Sequence, residues 1–216
     1  MPQPVKIAVI SDVVCPWCYL GKRRLERALE ETGVEAEVSW LPYELNPDMP
    51  SQGMARADYR SRKFGAERSA ELDAQMRERG EGEGVTFAFE KMTRTPNTRR
   101  AHALIAKAGE TGLANAMAEE LFRTYFEEGA DVGDTETLVK AATSVGMDEA
   151  TARAIIDDEA IKQEVAALEA RATQMGVSGV PFFIIEEKFA VSGAQPVENW
   201  KQVLVEIANG SEPGGA

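Results

Sequence analysis

The chain has 216 residues, 44% of them hydrophobic and 28% charged, enough to bury one sizeable core without a disulfide or metal staple. Its 24 basic and 36 acidic side chains leave a net charge of −12, which argues against a general nucleic-acid binder and against a polybasic membrane-surface protein. No apolar run approaches the length needed to cross a bilayer.

Residues 5–10, VKIAVI, form a β-branched run bounded by proline before and Ser-Asp after, and predict a buried strand. The N-terminal stretch MPQPVKIAVISDVV has a short apolar run, one lysine and no small-residue cleavage site, and it runs directly into CPWC, so it reads as a strand and not as a signal peptide. From Pro16 the spacing turns helical through Trp17, Leu20, Leu25, Ala28 and Leu29, and Gly33 is placed to end the helix. Residues 34–41, VEAEVSWL, alternate apolar and polar and predict a second strand. Strand, helix, strand makes a βαβ unit.

Helices are predicted over 55–79, 97–108, 113–128, 134–145 and 148–175, with EGEGVTFAFEKMTRTP interrupting them as a loop or short extended piece. Within the last helix Ile161, Val165, Leu168, Ala172 and Met175 form a stripe, read as core-facing because it is too short for a coiled-coil seam. After Gly176 the runs Phe182–Ile185 and Lys188–Val191, joined by Glu186-Glu187, predict a hairpin. A closing helix follows from Pro196, with Trp200, Val203, Leu204 and Ile207 on one face and a frayed GSEPGGA tail. The expected fold class is therefore α/β: a thioredoxin-like core, βαβ…ββα, with a large all-helical insertion. Residues 1–50 and 176–216 are assigned to the core and 51–175 to the insertion.

Cys15 and Cys18, in the motif CPWC, are the only two cysteines. One histidine, His102, cannot complete a four-ligand zinc site with them, and Tyr19 stands where a c-type haem motif needs histidine. A structural disulfide would close too short a loop to restrict the unfolded chain much. A redox pair has a mechanism. Cys15 falls where strand gives way to helix and Pro16 fits the first helical position, so the free N–H groups of the helix end favour a thiolate. Cys18 lies one turn deeper, expected to be sheltered beside an exposed Cys15. A cytoplasmic location is expected, where a C-x-x-C is catalytic or metal-binding more often than structural. Val180-Pro181, just before an apolar strand, is expected to form a cis bond facing the cysteines, with the Val180 backbone free to pair with an extended substrate.

Other candidates have plain structural readings. Trp17, between the cysteines, shapes substrate contact or fills the helix start. Asn97 reads first as a helix cap and secondarily as a border of the substrate groove. His102 reads as a packed or surface residue. Arg56, Arg60, Arg62, Lys63 and Arg68 read as solvated helix faces, with steering of an acidic substrate or glutathione as the functional alternative.

SDVVCPWCYLGKRRLE, the Val180-Pro181 motif, the long helical insertion, RTPNTRRAHAL and AVSGAQP together resemble the DsbA-like thioredoxin superfamily, and within it the FrnE branch of dithiol–disulfide oxidoreductases and isomerases. The resemblance implies Cys15 as nucleophile, Cys18 as resolving cysteine and Pro181 as cis proline. It implies thiols and disulfides of proteins or small molecules as partners, no bound cofactor or metal, glutathione as at most a co-substrate, and a monomer or homodimer. The superfamily also holds kappa-class glutathione transferases and 2-hydroxychromene-2-carboxylate isomerases, in which serine typically replaces Cys15. An acidic and basic pair is expected there in the loop that here reads Gly193-Ala194-Gln195-Pro196.

Overall fold

The computed structural model describes residues 3–212. The first strand is β1 (Val5–Ser11), buried throughout its last three residues. It leads into α1 (Pro16–Thr32), which ends as Gly33 adopts φ 67° and donates its N–H to the Leu29 carbonyl at 2.9 Å. β2 (Ala36–Pro42) then lies parallel to β1, from Val5 opposite Ala36 to Ser11 opposite Pro42.

The insertion starts with a two-residue strand, β3 (Met54–Ala55), followed by α2 (Arg56–Phe64) and α3 (Ala66–Glu81). A second short strand, β4 (Arg94–Thr95), pairs with β3. Five helices follow: α4 (Arg99–Gly109), α5 (Ala114–Phe126), α6 (Thr135–Ser144), α7 (Glu149–Asp157) and α8 (Glu159–Gln174). The chain returns to the sheet through β5 (Phe182–Ile185) and β6 (Phe189–Ser192), and closes with α9 (Val197–Ala208) packed on α1. The four-stranded sheet runs β2-β1-β5-β6, with β5 antiparallel to both β1 and β6. The expected α/β class, a thioredoxin-like sheet with a helical insertion, is the observed one. Residues 213–216 of the C-terminal tail lie outside the described residues.

Two long predicted helices are each divided. The helix expected over 55–79 breaks at Gly65, whose φ 78° and ψ 154° leave the helical region. The helix expected over 148–175 breaks at Asp158, which takes an extended conformation and accepts the N–H groups of Ala160 and Ile161 with its side chain, starting α8 afresh. The α8 stripe is correspondingly shorter than expected: Val165 and Ala172 are buried, Ile161 and Leu168 half-buried, and Met175 exposed. The interrupting segment after α3 is irregular yet sends Val85, Phe87, Phe89 and Met92 into the core.

One buried cluster spans sheet and insertion. Its joint is aromatic. Tyr19 of α1 stacks on Phe122 of α5 with centroids 5.1 Å apart, and Trp40 of β2 meets the same Phe122 edge-on at 6.2 Å. Truncating Phe122 to alanine removes that joint and should destabilise the protein by about 3–5 kcal/mol. Because the core is shared, tryptophan fluorescence and far-ultraviolet circular dichroism should report one coincident denaturant transition, in the parent and in Phe122→Ala. Two separated transitions would show that sheet and insertion unfold independently.

Candidate active site

β1 ends at Ser11, and the chain turns as the Cys15 N–H donates to the Asp12 carbonyl at 3.0 Å. Cys15 is the N-cap of α1, with φ −92° and ψ 110°, and Pro16 follows at the start of the helix. The first turn of α1 holds no acidic side chain, and its free N–H groups face the Cys15 sulfur. On the opposite side β5 pairs with β1 so that Phe182 lies across from Ile10. The two residues before β5 are thereby carried to the end of β1. The Val180–Pro181 peptide is cis, and the Val180 carbonyl oxygen lies 3.7 Å from the Cys15 sulfur. Val180 and Cys15 line the same cleft.

Cys18, one turn along α1, is 1% exposed. Burial pushes its thiol well above the ordinary cysteine range, and the hydrogen bond to the Cys15 sulfur and the charge of that sulfur push it further. The Asp12 backbone and the Ser11 side chain pull the other way. Cys18 therefore holds its proton. Cys15 is not the openly exposed sulfur expected from the sequence: it is only 4% exposed, because it faces a cleft covered by the insertion and not bulk solvent.

Trp17 lies at the cleft mouth, 39% exposed, with the Arg79 guanidinium 5.2 Å from its ring centroid. Asn97 is not brought to this cleft. Thr98, not Asn97, is the N-cap of α4; Asn97 accepts the Arg99 N–H at 3.1 Å and donates to the Met49 carbonyl at 2.8 Å, a local structural task. His102 is buried, its Nε2 3.3 Å from Asp12 Oδ1, and Asp12 Oδ2 accepts the Leu45 N–H at 2.8 Å. That pair ties α4 and the segment after β2 to the turn leading into Cys15.

The family model of the DSBA-like thioredoxin domain matches residues 6–205. The chain belongs to that family. A relative from Bacillus subtilis, the uncharacterized protein YwbO, is 29% identical over 182 residues, covering 84% of this chain and 86% of its own. The crystal structure of a probable DsbA oxidoreductase from Streptomyces coelicolor is 31% identical, with a TM-score of 0.83, and covers 98% of this chain and 93% of that one. The cytosolic disulfide reductase DsbM from Pseudomonas aeruginosa, solved with GSH, shares the fold at 18% identity, with a TM-score of 0.70 and coverage of 94% of this chain and 99% of its own.

Two features of this family member's site escaped the sequence. Gly21 of α1 faces Pro181: a Cβ there would meet Pro181 Cγ at 3.0 Å and Phe183 Cζ at 3.3 Å. Only the packing of α1 against Pro181 and β5 reveals that need. The cleft lining is the other, since Met76 and Arg79 of α3, Phe89 of the segment after it and Tyr125 of α5 come from three insertion segments. Of the basic cluster, Arg56, Arg60 and Lys63 line the cleft, while Arg68 is spent on Glu71.

Gly21→Ala should displace the Pro181 loop from Cys15 and cost about 1–3 kcal/mol of stability. The urea midpoint and the rate at which Cys15 reacts with an aryl disulfide reagent should both fall; retention of both would mean the close approach is slack. Iodoacetamide at pH 8 should label Cys15 and spare Cys18, because alkylation needs a thiolate and Cys18 stays protonated above its ordinary range. Peptide mass spectrometry after timed quenching separates the two adducts, and equal labelling would refute the asymmetry.

Proposed function

We propose that this protein is a thiol–disulfide oxidoreductase of the FrnE branch, working in the cytoplasm on thiols and disulfides. The observation that carries the reading is the unlike environment of two thiols one helical turn apart: Cys15 on a cleft at a helix N-terminus, Cys18 closed off behind it. The Cys15 thiolate attacks one sulfur of a disulfide, forming a mixed disulfide as the other sulfur leaves with the electron pair. Cys18 then loses its proton and attacks Cys15, forming the Cys15–Cys18 bond and releasing the second substrate thiolate. Two electrons pass from protein to substrate; the reverse sequence oxidises a substrate dithiol.

Val180 supplies a backbone edge beside Cys15 for the substrate, with Pro181 and Trp17 bounding it, and no resident cofactor or metal is required. A glutathione-dependent isomerase or transferase is the competing reading, with glutathione entering as co-substrate and its sulfur beside Cys15. The second thiol favours exchange, since an isomerase that only holds glutathione has no use for a resolving cysteine.

Replacing Cys18 with serine separates the two. Under the exchange reading, Cys18→Ser accumulates covalent disulfide adducts on Cys15, resolved by intact mass and released by reductant, and Cys15→Ser falls to the uncatalysed rate. Isomerase or transferase turnover that survives in Cys18→Ser, without such adducts, would overturn the proposal in favour of the glutathione-dependent reading.

A further inference from the structure

The cleft over Cys15 encloses about 360 Å³, within the range of roughly 300–1,000 Å³ common for small-molecule sites. Its interior is apolar, lined by the buried Met76, Phe89, Met92 and Phe126, with the exposed Phe64 at the rim. Its charge is opposite to that of the whole chain: four cationic side chains line it, Arg56, Arg60, Lys63 and Arg79, against one carboxylate, Asp73.

These cations are not equivalent. Arg56 and Arg60 each reach Asp73 at 2.7 Å, and Arg60 also donates to Ser69, so both are held as structural ties between α2 and α3. Lys63 donates to the Tyr59 hydroxyl at 2.6 Å and lies 5.7 Å from the Phe64 ring centroid. Arg79 lies over Trp17. Among the described residues neither Lys63 nor Arg79 has a carboxylate partner, and both are exposed at the cleft mouth. An apolar chamber ending at a sulfur, with two unneutralised cations at its mouth, complements a molecule with an apolar body and an anionic group.

We propose that this cleft selects small thiols or disulfides made of an apolar body bearing a carboxylate or comparable anion, with Lys63 and Arg79 as the recognising cations. The inference rests on the exchange chemistry proposed above and adds the substrate class. The enclosed volume, roofed by α2 and α3, favours a small molecule over the loop of a folded protein. In a net-acidic protein, local cations at the mouth also set which anions arrive fastest.

The test uses the full chain carrying Cys18→Ser, so that each Cys15 forms one bond and releases one thiolate. Two aryl disulfides serve as probes: dithiobis(nitrobenzoate), which carries carboxylates, and neutral dithiodipyridine. In each reaction the Cys15 thiolate forms a bond to one aryl sulfur, the aryl S–S bond breaks, and the other aryl thiolate departs with the electron pair and is read by absorbance. The ratio of anionic to neutral second-order rate constants should fall roughly tenfold in Lys63→Gln/Arg79→Gln. Added salt should lower the ratio strongly in the parent and little in that variant. A charge-matched control on exposed lysines elsewhere, Lys140→Gln/Lys188→Gln, should keep the parental ratio. An unchanged ratio in the cleft variant, or an equal fall in the control, overturns the selectivity. Failure of both probes to react with Cys15 overturns the exchange chemistry itself, and this inference with it.

Discussion

The antiparallel pairing of β5 with β1 is the constraint on which the candidate site depends. With Ile10 opposite Phe182, the residues before β5 must lie beside Ser11 and the turn that follows it. Cys15 is four positions beyond Ser11, at the start of α1, so the register brings two distant parts of the chain to one sulfur. A slip of one residue would turn every β5 side chain to the other face and carry Val180 away from Cys15. The register is secured from both sides. Phe183 packs edge-on against Trp200 of α9 at 4.7 Å, and the Gly193 N–H donates to the Pro181 carbonyl at 2.9 Å. Proline suits the position because its carbonyl is used there while its nitrogen has no hydrogen to place.

The same helix that presents Cys15 is anchored to the insertion by charges as well as rings. Lys22, nearly fully buried, reaches Glu26 at 2.6 Å and Glu119 at 2.7 Å. Arg24 pairs with Glu83 at 2.6 Å and donates to the Ala194 carbonyl at 2.7 Å, joining α1 to the segment just after α3 and to the loop before α9. Buried ion pairs of this kind specify geometry more than they add stability, because each charge has given up its water. Together they tie α1 to α5, to the segment after α3 and to the loop before α9. Cys15 and Cys18 belong to the sheet-and-helix core, while nearly all of the cleft wall that faces Cys15 belongs to the insertion. The sulfurs and the wall opposite them can therefore vary separately on one framework.

How much of this was legible in the sequence follows from the range of each signal. β1, α1, β2, the hairpin and α9 could be read because each buries one face against a continuous sheet, which imposes a regular period on the residues. CPWC and Pro181 could be read because their meaning depends on position between such elements. The breaks at Gly65 and Asp158 fall inside polar, helix-favouring runs where one backbone angle or one capping side chain decides, and periodicity does not register either. The segment carrying Val85, Phe87, Phe89 and Met92 buries its side chains without regular structure, so neither a helical nor a strand period marks it. The burial of Cys15 and the remoteness of Asn97 from the cleft depend on how the insertion folds back over the core. Arg79 becomes a cleft residue for the same reason, and nothing in its own neighbourhood of the sequence says so.

The causes that hold the Cys18 proton give the pair a built-in order of events. Burial is the largest and is permanent. The next two are the hydrogen bond to the Cys15 sulfur and the charge on that sulfur. In the exchange proposed above, a mixed disulfide on Cys15 would carry no charge and accept a hydrogen bond only weakly, so both influences on Cys18 would fade together. The Asp12 backbone and the Ser11 side chain, which favour the Cys18 thiolate, remain in place. Under that proposal, capping Cys15 would lower the cost of ionising Cys18 at the step that needs its thiolate. Cys18 would then be protonated in the resting protein, shielded from oxidation, and easier to ionise in the intermediate. That property requires two sulfurs in one dry turn of helix, which is what the CPWC spacing on α1 provides.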